Sequence, residues 1–421
     1  MQDENSLLLA VLIERVHALN PRYRAFSHLA TPVASLEHSG GPLSGIAASV
    51  KGNIPVKGMP WTEGSALFAG RRAEQDAAVV TRLREAGAIL LGTTTLSELA
   101  MYGTTNPFEP MGLNPWDIAR TAGGSSTGAE VAAALGLAAI NIGTDSGGSI
   151  RNPACHCGVV GFMPRRGALP LDGVPDHAPS LSTLGLIGPS VGDVTRAFEV
   201  LAAAIPNAAP PSSRLLLPRN LVQAMCDVET LALFAAACVR LATSGLVFIE
   251  RDVAGWREGE AAAGVVSLYE SGQALSRKDL GCASAGIRHR AETAARISAA
   301  QIAAARRDMA AFRVSFDAAL LETGTAAAVT PTWPFAAPPI NADIIMIQGH
   351  AVPIDPHRNC FVRAANACGG AAITVPMGFY SEARVPAGLH LIARNGDEAS
   401  LLTLAARIEA TLPRLPPVPV R

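Results

Sequence analysis

Lysine is scarce in this chain. Of its 34 basic residues only three, Lys51, Lys57 and Lys278, are lysine, and the other 31 are arginine. Arginine keeps its proton at any accessible pH, whereas burial can strip a lysine of its charge. An amine that accepts protons therefore has three candidate positions. Charge is also sparse, at 16% of residues with a formal net charge of −1, which argues against electrostatic capture of nucleic acid. With 49% apolar residues the composition is that of a globular protein, not a disordered one. No window holds the roughly 18 uninterrupted apolar residues needed to span a bilayer. The apolar run Leu7 to Ile13 follows acids and is itself followed by Glu14 and Arg15, so it reads as an amphipathic first helix, not a signal peptide. Seven scattered cysteines make no disulfide framework and fit a reducing cytoplasm. "ACHCG", Ala154 to Gly158, lacks the second pair of ligands that a closed zinc site requires and reads as buried thiols. Neither a metal nor another cofactor is expected.

A length of 421 residues allows two or three domains, although large α/β enzymes fill the same length with one core. From Leu43, short apolar runs such as "GIAASV" and "AILLGTTT" alternate with alanine-rich stretches such as "EVAAALGLAAINIGT". That alternation predicts α/β layers around a largely buried sheet. "IPNAAPPSSR", Ile205 to Arg214, breaks the pattern, and the weakly patterned region behind it reads as a surface excursion. Spacing of three and four predicts a long helix over Ala291 to Leu321. "AAAVTPTWPFAAPP" predicts a strand running into a proline-rich loop, "AAITVPMGF" and "AGLHLIAR" a strand hairpin, and "DEASLLTLAARIEATL" a final helix.

Three stretches could carry chemistry. "TAGGSSTGAEVAAALG" places two glycines and two serines before a helix, where backbone amides concentrate positive charge. A phosphate cradle fails there because Ala129 and Glu130 replace the lysine and hydroxyl that should follow Gly128. A nucleophile elbow centred on Ser126 lacks its preceding strand. An ordinary helix capped by Ser125 or Ser126 satisfies the sequence equally well. "NIGTDSGGSIRNP" follows the apolar strand "AAINI", at the end where open α/β sheets place their sites. Gly147 and Gly148 let backbone amides approach an anion, with Ser149 at the edge as a nucleophile. A glycine-rich turn with an Asp145–Arg151 ion pair accounts for the same residues. Lys51 ends the apolar run "GIAASVK". A free lysine, with a pKa near ~10.4, is neutral in about one molecule in 2,500 at pH 7, and burial lowers that pKa by up to ~3–5 units. Lys57 reads as an exposed turn residue, and Lys278 has charged neighbours on both sides.

Together "SVKGN", "GGSSTG" and "GTDSGGSIRNPACHCGVVGFMP" resemble the amidase signature family. Flanking stretches, including "NPWDIARTAGGSS", "LSTLGLIGPSVGDVTRAFEVLA", "VTPTWP" and "PAGLHLIAR", fall in that family's order. The resemblance implies a single large α/β domain over residues 1–421, a central mixed sheet covered by helices on both faces, and a variable region at about 206–290. It also implies a Ser-cisSer-Lys triad with Ser149 as nucleophile, Ser125 on a cis peptide as relay and Lys51 as base, so that no histidine is needed and His156 is a bystander. Main-chain amides around Ser146, Gly147 and Gly148 would form the oxyanion hole, with Ser126, Asp145 and Arg151 in support. Met101, Tyr102, Asn106 and Trp333 are expected, from position, to line the substrate pocket. Gly52, Thr127, Met163 and Thr93 depart from the family's usual residues, Gly52 by removing an acid next to the lysine. The implied activity is hydrolysis of a small carboxamide by way of an acyl-enzyme. The alternatives are a non-catalytic binding homologue and a glutamine-dependent amidotransferase subunit. The expected partner is a small-molecule amide, with no nucleic acid and no membrane, and the expected assembly a homodimer.

Overall fold

The apolar runs become strands and the alanine-rich stretches become helices in the computed structural model, which describes residues 2–30, 40–101, 105–202 and 211–420. The strands are β1 (Phe26–Leu29), β2 (Ala47–Lys51), β3 (Ile89–Thr94), β4 (Ile140–Asp145), β5 (Val160–Met163), β6 (Thr183–Gly188) and β7 (Arg214–Leu217). They continue with β8 (Val247–Glu250), β9 (Ala327–Pro331), β10 (Ile344–Ile347), β11 (His350–Pro353), β12 (Ala372–Phe379) and β13 (Pro386–Ile392). Among the described residues, eleven strands form one sheet in the order β1-β3-β2-β4-β6-β5-β12-β13-β9-β7-β8, and β10 and β11 pair apart as a hairpin. The sheet is mixed: β2 runs parallel to β3 and β4, β7 runs parallel to β8 and β9, and the strands between β4 and β9 are antiparallel.

Helices flank the sheet. They are α1 (Gln2–Tyr23), α2 (Ala78–Glu85), α3 (Thr127–Ala134), α4 (Arg151–Cys157), α5 (Val191–Leu201), α6 (Arg219–Met225) and α7 (Val228–Thr243). After these come α8 (Trp256–Leu275), α9 (Ala285–Ala295), α10 (Ala299–Thr323), α11 (Ile354–His357), α12 (Val362–Cys368) and α13 (Glu398–Thr411). Among the described residues no helix is long and apolar enough to cross a membrane. Strand alternation assigns the layers. In β2, Ala48 and Val50 enter a core shared with α2, α5, α7 and α13. Ala47 enters the opposite core, with α1, α3 and α4. Side chains on a strand alternate between faces, so Ser49 and Lys51 follow Ala47 toward α3. Farther along that face, α8, α10 and α12 cover β7, β9, β12 and β13.

The expected hairpin and final helix are present as β12–β13 and α13. Two expectations differ from the structure. The helix read over Ala291 to Leu321 is two helices, because Ser298 and Gln301 form a capping box that starts α10 afresh. The region behind residue 205 is no mere surface excursion: β7 and β8 extend the sheet beyond β9. The parallel pairing of β7 with β9 joins segments more than a hundred residues apart, which short local runs such as "RLLL" do not announce.

The position of α3 depends on close backbone contact. Gly128 donates its amide to Thr95 O at 3.0 Å, and a Cβ at this position would lie 2.2 Å from Ala25 O and 2.5 Å from Thr95 N. Both obstacles are backbone. Gly128→Ala should therefore destabilise the protein by about 1–3 kcal/mol, measured from the urea denaturation midpoint, with no loss of soluble secondary structure at low denaturant.

Candidate active site

Lys51 closes β2 with no solvent exposure. Its Nζ lies 2.6 Å from Ser125 Oγ, 2.8 Å from Thr144 Oγ1 and 3.4 Å from Thr144 O, all neutral oxygens. Burial draws its pKa from 10.5 down to about 7, although the negative fields of Glu130 and Asp145 oppose the drop. At neutral pH such a lysine is neutral far more often than one in water. Lys57, by contrast, is exposed.

Ser125 lies in the loop before α3, and the Gly124–Ser125 peptide is cis. Asn152 brackets this peptide, accepting from Gly124 N at 3.3 Å and donating to Gly124 O at 3.1 Å. Ser126 precedes α3 but does not cap it with its side chain. Its Oγ donates to Thr144 O at 3.2 Å, and its amide donates to Ser149 O at 3.2 Å. The two serine-bearing loops are thus joined through backbone groups.

The loop after β4 turns around the carboxylate of Asp145. Gly147 N and Gly148 N donate to Oδ1 at 3.1 and 2.7 Å, and Ile150 N donates to Oδ2 at 3.1 Å. Arg151 adds a two-point ion pair from Nε and Nη2, at 3.1 and 3.0 Å, with both side chains fully buried. Burial alone would raise the pKa of Asp145, but Arg151 and these hydrogen bonds hold it far below the usual carboxylate range. Arg151 also donates to Val362 O, and to Asn366 Oδ1 at 2.7 Å, while Asn366 donates to Asp145 at 3.0 Å. Gly148 is required here, because its φ is +110° and a Cβ would meet Val362 Cγ2 at 2.3 Å.

Ser125, Ser146, Gly147 and Ser149 share the wall of a cavity of about 720 Å³. Met101 and Trp333 line it as expected, whereas Tyr102 lies outside the described residues. Asn106 does not line it. Its side chain donates to Gly64 O and Leu96 O and accepts from the amides of Phe108 and Glu109, a turn-forming role typical of asparagine. The amides of Gly147 and Gly148, expected to await an oxyanion, are engaged by Asp145 instead. His156 reaches the cavity, but burial drives its pKa to about 3 and its ring packs edge-on against Trp333 at 4.9 Å, so it is a poor base. Position 52 has no room for the missing acid, since a Cβ there would lie 2.9 Å from Leu96 Cδ2 and 3.0 Å from Thr94 O. Among the described residues no group of histidines, cysteines and acids could hold a metal ion.

Sequence reasoning missed Thr144, Asn152 and Asn366. Thr144 and Asn152 sit within the quoted motif and could have been tested as hydrogen-bond partners. Asn366 is 221 residues from Asp145 and has no local signal. Glu130 reads in the sequence only as a mismatch to a phosphate loop, yet both its oxygens are buried without a partner.

The protein-family model described as Amidase matches residues 9–402. Over 205 residues the chain is 40% identical to a chloroplastic/mitochondrial glutamyl-tRNA(Gln) amidotransferase subunit of Zea mays, an alignment covering 45% of this chain and 38% of that protein. The chain therefore spans little more than a third of the length of that relative. A crystal structure of an amidase matches with a TM-score of 0.89 and 28% identity, covering 96% of each chain. The native peptide amidase of Stenotrophomonas maltophilia matches with a TM-score of 0.81 and 26% identity, covering 99% of this chain and 95% of that one.

The Asp145–Arg151 arrangement yields a stability test. Arg151→Met leaves a buried carboxylate without its counter-charge and should cost about 3–5 kcal/mol in chemical denaturation. Adding Asp145→Asn keeps acceptors for the loop amides and should recover much of that loss.

Proposed function

The chain belongs to the amidase signature family, and on that premise we propose that it hydrolyses a small carboxamide through an acyl-enzyme on Ser149, with Lys51 as base and Ser125 as proton relay. One observation carries the reading: a wholly buried lysine amine, its pKa near 7, lies 2.6 Å from a serine hydroxyl at the wall of a cavity. An amine in water would be an ammonium ion, unable to accept the proton. The cavity volume is in the range that holds small ligands.

In this scheme neutral Lys51 accepts the proton of Ser125 as Ser125 accepts that of Ser149, and Ser149 Oγ bonds to the amide carbon. Among the described residues no hydrogen bond joins the two serine side chains, so the scheme requires this second link to be made in the substrate complex. The carbonyl oxygen becomes an oxyanion. The Gly147 and Gly148 amides are engaged by Asp145, and in this proposal the donors for the oxyanion come from the main chain of the same turn, Ser146 to Ser149. Collapse breaks the carbon–nitrogen bond, and the leaving nitrogen takes the proton back from Lys51 through Ser125. Water then cleaves the ester by the same proton path. Asp145 and Arg151 hold the loop and take no proton.

The amidotransferase relative favours a second reading, in which the same chemistry releases ammonia from glutamine for a partner protein. A panel of small amides, with ammonia release as readout, separates the two. Turnover by the purified chain alone supports the hydrolase, and glutaminase activity that appears only with a partner supports the second reading. A fluorophosphonate probe should leave an adduct on Ser149; an unlabelled serine would make the chain a non-catalytic homologue.

Lys51→Arg keeps the charge but cannot supply a neutral base, and should lower kcat/KM at least about 1,000-fold. Because the neutral amine is the active form, kcat/KM should rise with pH as the pH passes about 7. A profile flat from pH 5 to 9 would remove Lys51 from the role. His156→Gln should leave the chemical step within about tenfold of the parent.

A further inference from the structure

Glu130 has no part in the scheme above, yet its environment is unusual. It sits in the first turn of α3, five positions after Ser125, with no solvent exposure. No other residue supplies a hydrogen-bond partner to either side-chain oxygen, and its own backbone amide favours the charged form. Native structures seldom leave a buried carboxyl group unpaired, because desolvation is costly and nothing offsets it.

α3 packs against β1, β2, β3, β4, β6 and α4. The titratable or charged groups on those elements are His28 on β1, Lys51 on β2, Asp145 on β4, and Arg151, Cys155, His156 and Cys157 on α4; β3 and β6 carry none. On α1, Arg15 reaches only the far end of α3, where it donates to Leu135 O. His28 is half-buried on the edge strand of the sheet. Asp145 and Arg151 satisfy each other. Burial keeps Cys155 and Cys157 as thiols and His156 neutral. That leaves Lys51 and Glu130 as the two fully buried groups in this layer whose charge is not already matched.

We propose that Glu130 is a positioning residue for the base: its unpartnered carboxyl group sets how strongly buried Lys51 holds a proton. The inference rests on the reading of Lys51 as base. All the hydrogen-bond partners of Lys51 Nζ are neutral, so its ammonium form has no counter-charge in contact. Among the opposing influences on Lys51, Glu130 is larger than Asp145. Burial pushes the carboxyl of Glu130 well up while it draws the amine of Lys51 down, and each group's charge opposes the shift of the other. A neutral amine with a neutral carboxyl, and an ammonium with a carboxylate, contain the same number of protons. The two charge states therefore differ only in where one proton sits.

The sign of the expected shift is fixed by the charge removed. Without the carboxyl, an influence that raises the proton affinity of Lys51 is gone, so the amine becomes a weaker base that is neutral at lower pH. Glu130→Gln should shift the acid limb of kcat/KM downward by about half a pH unit or more and lower the plateau about three- to tenfold. Glu130→Asp, which keeps a carboxyl, should fall between Gln and the parent. Glu130→Met, of similar shape and without polar atoms, should show the same downward shift and melt no lower than the parent. Limbs that superimpose for Gln, Met and parent, with Lys51→Arg inactive, would overturn the role of Glu130 alone. An active Lys51→Arg would overturn both the base assignment and this inference. Gln and Met variants that cannot fold would show the carboxyl to be structural, and would equally overturn it.

Discussion

Everything about this site depends on keeping one amine out of water. Lys51 is drawn toward its neutral form because β2 ends beneath α3, where its side chain has no solvent exposure. Three consequences follow for its surroundings. Its hydrogen-bond partners have to be neutral hydroxyl and carbonyl oxygens, because a carboxylate in contact would restore its charge. Asp145, whose charge also reaches Lys51, has to be neutralised by its own cation, which Arg151 supplies. The helix above has to lie close enough to exclude solvent, which is why Gly128 has no side chain.

The Asp145–Arg151 pair does more than balance charge. It gathers the loop after β4 through three backbone amides, and through Val362 and Asn366 it ties that loop to α12, more than two hundred residues later. A buried pair of this kind adds little net stability over apolar residues of the same size, but it fixes geometry. Here the fixed object is the turn from Ser146 to Ser149. The same carboxylate that shapes the turn also occupies the amides of Gly147 and Gly148.

Much of this was legible in the sequence, and what was not has a physical reason. The scarcity of lysine and the apolar run ahead of Lys51 singled out the buried amine. The Asp145–Arg151 pair was visible because its members are six residues apart around a glycine turn. Strands with apolar patterns, such as β4, β12 and β13, could be read directly. Contacts that depend on distant strands meeting could not: Asn366 joins Asp145 only because β12 and β5 pair across the sheet, and β7 and β8 belong to that sheet only through β9. Asn106 was misplaced because proximity in sequence to a serine loop says nothing about which way a side chain turns. Glu130 could not be understood from sequence, since an acid in the first turn of a helix usually faces solvent and favours the helix dipole.

The cavity has two walls of different origin. One is the compact stretch from Thr121 to Asn152, whose backbone is fixed by the glycines, Asn152 and the buried ion pair. The other is assembled from distant pieces: Ser267 and Ser271 on α8, Trp333 after β9, and Arg358 and Arg363 around the start of α12. Under the proposed chemistry the two serines would come from the first wall and their base from β2, whereas the second wall is contributed by segments more than a hundred residues farther along the chain. Substitutions in those later segments would therefore reshape one side of the cavity without touching the residues proposed to react.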